Sequence, residues 1–191
     1  MKRLTVFDFD GTLTTSDSMI GIILYHKGRL GLAWALLRQV HLIILMFMGL
    51  YDNQRCKERL LTYCFGGMTE ETFEELCCKF AETHRNLLRK DILAIYEKAE
   101  NKAVISASPV QWVGKFIDGM VLASRMEVID GRITGRLIGR NCYGKEKVNR
   151  LTEAFPDLLS HRNEYHITAY GDSKGDRELL AFADESHLIK R

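Results

Sequence analysis

The chain has 191 residues, of which 46% are apolar, and its net charge at neutral pH is +2. This length and composition suit one catalytic domain with an insertion, and so small a charge does not favour a nucleic-acid partner. The five cysteines form no C-x-x-C pair, which favours reduced thiols in a cytoplasmic protein over a disulfide framework. The apolar run at residues 4–7 is too short for a secretion signal.

Residues 3–9 predict a first strand, which runs into the sequence Asp8-Phe9-Asp10-Gly11-Thr12. Two carboxylates two residues apart on a strand project to the same side, so both can face one small charged object. Because like charges repel, a hard, oxygen-preferring cation such as Mg²⁺ is the natural third party. The turn at Gly11-Thr12 would let a phosphate approach free backbone N–H groups. For this short motif alone, an ordinary strand entering an acidic surface turn remains the alternative.

Residues 14–85 have helical patterns, almost no strand signal and no proline. Within them, Thr69 is followed by two glutamates and predicts a helix N-cap with acidic residues in the first turn. We interpret this insertion as a helical cap above the site. Closure of such a lid would exclude water and select the substrate.

One part of the insertion, residues 30–51, is almost entirely apolar. A transmembrane helix needs about 20 predominantly apolar residues, and Arg38, Gln39 and His41 interrupt this run, which argues against a span. Two interpretations remain. The segment is a cap helix that is buried in the chain or covered in a homodimer, which we favour because most apolar helices belong to cores. Alternatively, it contacts a membrane surface or a lipid-like substrate as a peripheral hydrophobic lid.

After about residue 86, helical and strand patterns alternate, as expected of a parallel sheet with crossover helices. A buried strand is predicted at residues 103–105, followed by Ser106-Ala107-Ser108-Pro109, which ends in a proline-started helix. For an isolated serine in this place, helix capping is the alternative to a functional hydroxyl. Asp130-Gly131 between two apolar runs predicts a small β-hairpin.

Two further segments complete a set of polar groups suited to phosphoryl transfer. Gly144-Lys145-Glu146-Lys147-Val148 opens a predicted helix with lysines in its first turn, although solvated lysines are the commoner case. The strand predicted at residues 165–170 ends in Gly171-Asp172-Ser173-Lys174-Gly175-Asp176, whose acids have helix capping as the alternative role. Open α/β sheets assemble sites at the carboxyl ends of their strands, where three of these motifs lie.

In this order, from Asp8 to Asp176, the motifs resemble the four motifs of the haloacid dehalogenase superfamily of phosphohydrolases. The long insertion and residues 127–135 resemble the phosphoserine-phosphatase-like branch of that superfamily. Residues 105–109 and 144–148 are also similar to phosphatidylglycerophosphatase-type members of the branch.

The resemblance implies an α/β fold with a Rossmann-like parallel-sheet core, a small β-hairpin and an inserted α-helical cap. The core would comprise residues 1–13 and 86–191, and the cap residues 14–85. It also implies a Mg²⁺-dependent phosphatase that cleaves a phosphate monoester through an aspartyl-phosphate. The substrate would be a small phosphorylated metabolite or a lipid phosphate, with a phosphotransferase or a non-catalytic binding protein as further alternatives.

The resemblance assigns a role to each motif residue. Asp8 would be the nucleophile, and Asp10 the general acid and then the general base. Ser106 would bind a phosphoryl oxygen, and a lysine would stabilise charge on the phosphoryl group. The Mg²⁺ ligands would be Asp8, the backbone carbonyl of Asp10 and Asp172, with Asp176 behind them.

The motif lysine is assigned to Lys147 rather than Lys145, because Lys147 directly precedes a small apolar residue in the family's register. Asp17 lies where phosphoserine phosphatases carry a glutamate for the substrate amine, although a helix-capping role also explains it. Arg55, with Arg59 as the rival, would bind a substrate carboxylate. The remaining expected substrate contacts are Gly11, Thr12, Ala107 and Ser173.

Overall fold

The computed structural model describes residues 1–190 of the chain. Its strands are β1 (Lys2–Phe7), β2 (Lys102–Pro109), β3 (Met120–Ser124), β4 (Met126–Ile129), β5 (Arg132–Leu137), β6 (Tyr165–Gly171) and β7 (Glu185–Leu188). Its α-helices are α1 (Ser18–Phe47), α2 (Asn53–Phe65), α3 (Glu70–Thr83), α4 (Lys90–Lys98), α5 (Val110–Phe116), α6 (Lys145–Ala154), α7 (Asp157–Ser160) and α8 (Arg177–Phe182).

Five strands form a parallel sheet in the order β3-β2-β1-β6-β7. β1 is central, and its last residue, Phe7, pairs with Val104 of β2 and Tyr170 of β6. The carboxyl ends of these three strands therefore meet at one edge of the sheet. The predicted α/β fold with a parallel-sheet core is confirmed, and its topology brings three motifs together that are far apart in sequence.

The first strand is shorter than predicted, because β1 ends at Phe7 and the chain then makes a tight turn over Phe9–Leu13. Gly11 in this turn has a φ of 81°, a conformation that glycine adopts without steric cost. Asp10 therefore belongs to the turn and not to the strand, so the expected common strand face for Asp8 and Asp10 is wrong. The two carboxylates nevertheless line the same cavity, as described below.

The helices of the insertion pack on the hairpin and on α5, with α2 against β5 and α3 against α5. Their aromatic side chains join the core beneath the sheet, where Phe73 and Phe80 lie in one buried cluster with Phe9 and Phe116. The predicted division into a core and a cap of residues 14–85 stays a prediction, since this cluster is continuous across that boundary. Its last predicted residue, 191, lies outside the described residues.

Local turn chemistry agrees with the sequence in two places. β4 and β5 form the predicted antiparallel hairpin, and Asp130 and Gly131 at its turn have φ values of 50° and 69°. Thr69 is the N-cap of α3, and its hydroxyl accepts a hydrogen bond from the N–H of Thr72 at 3.2 Å.

The apolar part of α1 is mostly exposed, so the interpretation as a helix buried within a single chain is wrong. Leu30, Leu37 and Phe47 are 88%, 61% and 82% exposed. The physical reason is that α1 contacts the rest of the chain along a narrow stripe on one side. The backbone kinks at Gly28, whose φ is 69°. By length and composition alone, α1 is long and apolar enough to cross a membrane.

Candidate active site

A cavity of about 540 Å³ lies between the carboxyl ends of β1, β2 and β6 and the helices α1 and α2. Six of the residues expected at the site line it: Asp8, Asp10, Asp17, Ala107, Lys147 and Ser173. Apolar side chains of α1 form the opposite wall, among them Leu36, Ile43 and Met46. The cavity thus combines a charged floor with an apolar wall.

Lys147 occupies the centre of the charged floor. Its ammonium group donates to Asp8 Oδ1 at 2.5 Å and also to Asp176 Oδ1, and all three side chains are buried. Although burial lowers the pKa of Lys147, the two carboxylates together raise it above its usual value, so the amine stays charged. Lys145 is exposed on the same helix. Of the two candidate lysines, the structure therefore brings Lys147 to the site.

Asp8 is a buried carboxylate with a single lysine as its cationic partner. Burial raises the pKa of Asp8 to about 8, even though the Lys147 ammonium favours ionisation. No residue within 1–190 donates a hydrogen bond to Asp8 Oδ2. A second cation beside Asp8 would therefore favour its ionised, nucleophilic form.

Three carboxylates form the acidic cluster of the site. Asp8, Asp172 and Asp176 each offer one oxygen, and these oxygens lie within 4.8 Å of one another. Such a set of hard oxygen donors fits Mg²⁺, which commonly binds through one or two carboxylates and retains water ligands. The residues present therefore fit a divalent cation.

Both carboxylate oxygens of Asp176 accept hydrogen bonds within the site. Asp176 Oδ2 accepts from the N–H groups of Asp172 and Ser173 and from the Ser173 hydroxyl, at 3.2, 3.0 and 2.9 Å. Its Oδ1 accepts from Lys147, and these charged and hydrogen-bonded partners hold the pKa of Asp176 low despite its burial. Asp176 is thus suited to holding Lys147 and the loop of Asp172 and Ser173 in place.

The Asp10 side chain is oriented by two hydrogen bonds and lies outside the acidic cluster. Asp10 Oδ1 accepts from the Ser18 N–H at 2.6 Å, and Oδ2 accepts from the Ser108 hydroxyl at 2.5 Å. Trp112 donates its indole N–H to the Ser18 hydroxyl, which fixes this network from behind. Burial, followed by the charge of Asp17, raises the pKa of Asp10 and favours the protonated form that a general acid needs.

The Ser108 link was missed by sequence reasoning. The signal that could have found it is the second hydroxyl of Ser106-Ala107-Ser108, since Ser108 lies at the same strand end as Ser106. Ser106 itself is fully buried and does not line the cavity, and its hydroxyl accepts a hydrogen bond from the Ser108 N–H at 3.0 Å. Accepting uses only a lone pair, so the Ser106 O–H remains a donor.

Gly11 and Thr12, which the sequence predicts as substrate contacts, are turned away from the cavity. The Gly11 N–H donates to Thr14 Oγ1 at 3.2 Å, and Thr12 is fully buried. Neither Gly11 nor Thr12 lines the cavity. The expectation that the Gly11 N–H is free for phosphate is wrong, because the tight turn satisfies it internally.

The prediction that Arg55 lies at the substrate cavity is wrong, and Lys57 of the same helix lies there instead. Arg55 and Arg59 line a separate groove, whereas Lys57 lines the cavity and donates to the Ala107 carbonyl at 2.5 Å and Asn141 Oδ1 at 3.1 Å. The helical period explains this difference, since residues two apart on α2 point about 200° apart. The same period is the sequence signal that would have found Lys57.

Asp17 caps a helix and lies at the cavity, while its role toward a substrate amine stays a prediction. It is the N-cap of α1, accepting the Ile20 N–H at 3.0 Å, and it also lines the cavity. Burial lowers the pKa of Lys57 to about 8, against the charges of Asp10 and Asp17. The Asp17 carboxylate and the Lys57 amine therefore add one acidic and one basic group to the cavity besides those of the charged floor.

A parallel α/β sheet with acidic motifs at the ends of β1 and β6, a serine motif at the end of β2 and a helical insertion beside them defines a class of hydrolase. The chain belongs to the haloacid dehalogenase-like hydrolases, whose family model matches residues 5–181. It is 36% identical to protein CicA of Caulobacter vibrioides over 195 residues, which cover 95% of this chain and 83% of that protein. The family resemblance inferred from the motifs is confirmed.

Solved structures show the same fold. A protein of unknown function from Bordetella pertussis Tohama I superposes with a TM-score of 0.80 at 23% identity, covering 97% of this chain and 89% of that one. A phosphoserine phosphatase with bound substrate superposes with a TM-score of 0.58 at 19% identity, covering 97% and 85%. The fold is thus shared with the phosphoserine phosphatases, as the sequence predicted.

We predict that Lys147→Met destabilises the metal-free protein by about 3–5 kcal/mol, because it leaves two carboxylates buried without their cation. Without the cation, burial raises the folded-state pKa of these carboxylates above the unfolded value, so they bind protons as the pH falls. The destabilisation should therefore be smaller at pH 5 and larger at pH 8. Urea unfolding in the presence of a chelator at both pH values measures it.

Lys145→Met is the matched control and should change the free energy of unfolding by less than about 0.5 kcal/mol. Equal losses for the two variants would show that Lys147 is not the charge that holds Asp8 and Asp176.

Proposed function

We propose that this hydrolase is a Mg²⁺-dependent phosphomonoesterase that works through an aspartyl-phosphate on Asp8. The observation that carries the proposal is the placement of Asp8, with one oxygen on Lys147 and the other without a hydrogen bond from residues 1–190, at the floor of the cavity. Asp10 is less suited as the nucleophile, because both its oxygens already accept hydrogen bonds.

The reaction divides into two displacements. Asp8 attacks phosphorus while the P–O bond to the leaving alcohol breaks, and Asp10 donates the proton that this alcohol takes up. Water then attacks the aspartyl-phosphate, Asp10 accepts its proton, and inorganic phosphate leaves with Asp8 regenerated. The Ser18 and Ser108 hydrogen bonds keep the Asp10 carboxyl aimed for both proton transfers.

Positive charge stabilises the transferring group. Lys147 supplies it next to Asp8. The Ser106 hydroxyl, which keeps its proton for donation but lies just behind the cavity lining, would donate to a phosphoryl oxygen once substrate binds. Mg²⁺, bound by Asp8, the backbone carbonyl of Asp10 and Asp172, would neutralise the approaching ester anion. Asp176 would hold Lys147 and the loop of Asp172 in place.

We predict that Asp8→Asn abolishes turnover of simple phosphate esters while leaving the fold intact, since an amide cannot act as the nucleophile. Beryllium fluoride mimics a phosphoryl group on a carboxylate, so it should inhibit the wild-type protein and fail to bind Asp8→Asn. Steady-state rates, with circular dichroism to check folding, measure the first effect, and calorimetry measures the second.

Asp118→Asn serves as the control, because this aspartate is exposed and does not line the cavity. A near-normal rate for Asp8→Asn would remove Asp8 as the nucleophile, and wild-type indifference to beryllium fluoride would count against the covalent intermediate.

We predict that Asp172→Ala raises the Mg²⁺ concentration needed for half-maximal rate by roughly tenfold or more, since a direct ligand is lost. A Mg²⁺ titration of the initial rate measures this, with Asp118→Ala as the control. An unchanged Mg²⁺ requirement would exclude Asp172 as a ligand.

The substrate has two candidates. A small phosphorylated amino acid is supported by the Lys57 ammonium and the Asp17 carboxylate, which line the cavity beside the catalytic floor. A lipid phosphate is supported by the apolar wall that Leu36, Ile43 and Met46 of α1 present to the same cavity. The wall is the larger feature, and apolar surface in a pocket favours apolar ligand groups.

We therefore expect the protein to have a higher kcat/KM for a short-chain phosphatidic acid, supplied below the concentration at which it forms micelles, than for phosphoserine. Ile43→Ser should lower kcat/KM for the lipid roughly tenfold and leave phosphoserine unaffected, because only the acyl chain contacts that wall. Ile95→Ser, at an exposed site on α4, is the control.

A higher kcat/KM for phosphoserine, with a large loss in Lys57→Ala, would instead assign the cavity to a small metabolite. Transfer of phosphate to added alcohols in place of water would identify a phosphotransferase.

A further inference from the structure

The outer side of α1 beyond the kink forms an exposed apolar surface. With Met48 and Leu50, which directly follow the helix, we call it the apolar face; its helical members are Leu30, Trp34, Leu37, Val40, Ile44 and Phe47, and each of the eight is 45% or more exposed. Most of these residues recur at intervals of three, four or seven along the helix, so they share one side. Ala35, Gln39 and Leu42, on the opposite side, are the buried positions of this part of α1. A monomeric soluble protein rarely exposes so continuous an apolar surface without a partner.

A cationic surface adjoins the apolar face. We call it the arginine groove, a hollow of about 700 Å³ to which Arg38, Arg55, Arg59 and Arg136 contribute. None of these guanidinium groups forms an ion pair with any residue from 1 to 190. Tyr63 packs against Arg38, whose Cζ lies 5.4 Å from the ring centroid. One carboxylate, that of Glu58, also lines the groove, so the four guanidinium groups leave a net positive charge that faces solvent.

The charged residues of α1 are basic, like the four arginines of the arginine groove. From Ser18 to Tyr51 the sequence contains no aspartate or glutamate, while Lys27, Arg29 and Arg38 are basic. A partner with both apolar and anionic groups complements such a surface. An anionic bilayer offers these groups at one interface, where an amphipathic helix lies with its apolar side among the acyl chains.

The same helix joins this surface to the cavity. Phe47 belongs to the apolar face and also lines the cavity, as do its neighbour Met46 and Ile43, one turn before it. A membrane that covers the apolar face would therefore meet the cavity at its apolar wall.

We propose that the apolar face and the arginine groove dock this protein peripherally on an anionic lipid bilayer, with α1 lying in the interface. The proposal deepens the lipid-phosphate candidate and rests on it only for its biological purpose, since docking needs no turnover. The kink at Gly28 and the buried stripe of Ala35, Gln39 and Leu42 argue against a spanning helix. A second copy fits less well, because a symmetric dimer brings the same cationic surface from both partners.

The test is sedimentation of the full chain with phosphatidylcholine vesicles that contain or lack phosphatidylglycerol. Binding should require phosphatidylglycerol and weaken in high salt. Leu37→Glu with Ile44→Glu should lower the partition coefficient roughly tenfold or more, because charge replaces apolar insertion. Arg55→Gln with Arg59→Gln should give a loss of similar size on the anionic vesicles.

Matched controls remove equal charge or apolar area elsewhere. Leu159→Glu with Ile129→Glu changes two residues that are 65% and 54% exposed, and Arg3→Gln with Arg125→Gln removes two exposed arginines. Both controls should bind as the wild type does. Losses in the controls equal to those in the test variants would overturn the assignment of this surface.

Three other results would overturn the proposal. The wild-type protein could fail to bind anionic vesicles, or it could resist extraction by alkaline carbonate as a spanning protein does. Alternatively, light scattering could show a dimer that Leu37→Glu with Ile44→Glu dissociates, which would assign the face to a second copy. Hydrolysis of phenyl phosphate, measured in parallel, separates failure of docking from failure of the proposed reaction.

Discussion

The buried ion pairs of Lys147 with Asp8 and Asp176 are the interaction on which the site depends. Two carboxylates this close and this buried repel each other, so one of them would bind a proton if no cation lay between them. The lysine offsets this repulsion at the position where a nucleophile is needed, although burial still raises the pKa of Asp8 to about 8. Because the ammonium is also held by Asp176, it is fixed in place as well as ionised, and a preorganised charge stabilises a transition state without reorganising.

The sheet topology supplies the frame for that charge cluster. β1 lies between β2 and β6, so the turns after these strands converge although the strands end at Phe7, Pro109 and Gly171, which are far apart in sequence. Local hydrogen bonds then set each carboxylate to a different task. Ser18 and Ser108 orient Asp10, whereas backbone N–H groups of the loop at Asp172 and Ser173 occupy Asp176. Residues of one chemical type are thereby given distinct roles by their hydrogen-bond partners.

Helix α1 connects the chemistry to the surface of the molecule. One side carries Ile43 and Met46 into the cavity, and the other carries Leu37 and Ile44 into solvent. A helix that is apolar nearly all round is expected in a core or a membrane. Here its contacts within the chain cover only a narrow stripe, which is why its composition suggested burial and the structure contradicts it.

The sequence by itself determined the α/β class, which follows from periodicity, and the family, which follows from the ordered motifs. Turn chemistry determined the hairpin at Asp130-Gly131 and the helix N-cap at Thr69. The register of the family's lysine motif also pointed to Lys147 over Lys145. Only the tertiary structure decided that Ser108 reaches Asp10, that Lys57 and not Arg55 lines the cavity, and that the Gly11 N–H is already bonded. The exposure of α1 belongs with these. Each depends on which surface of an element meets its neighbours, and packing between segments distant in sequence sets that surface.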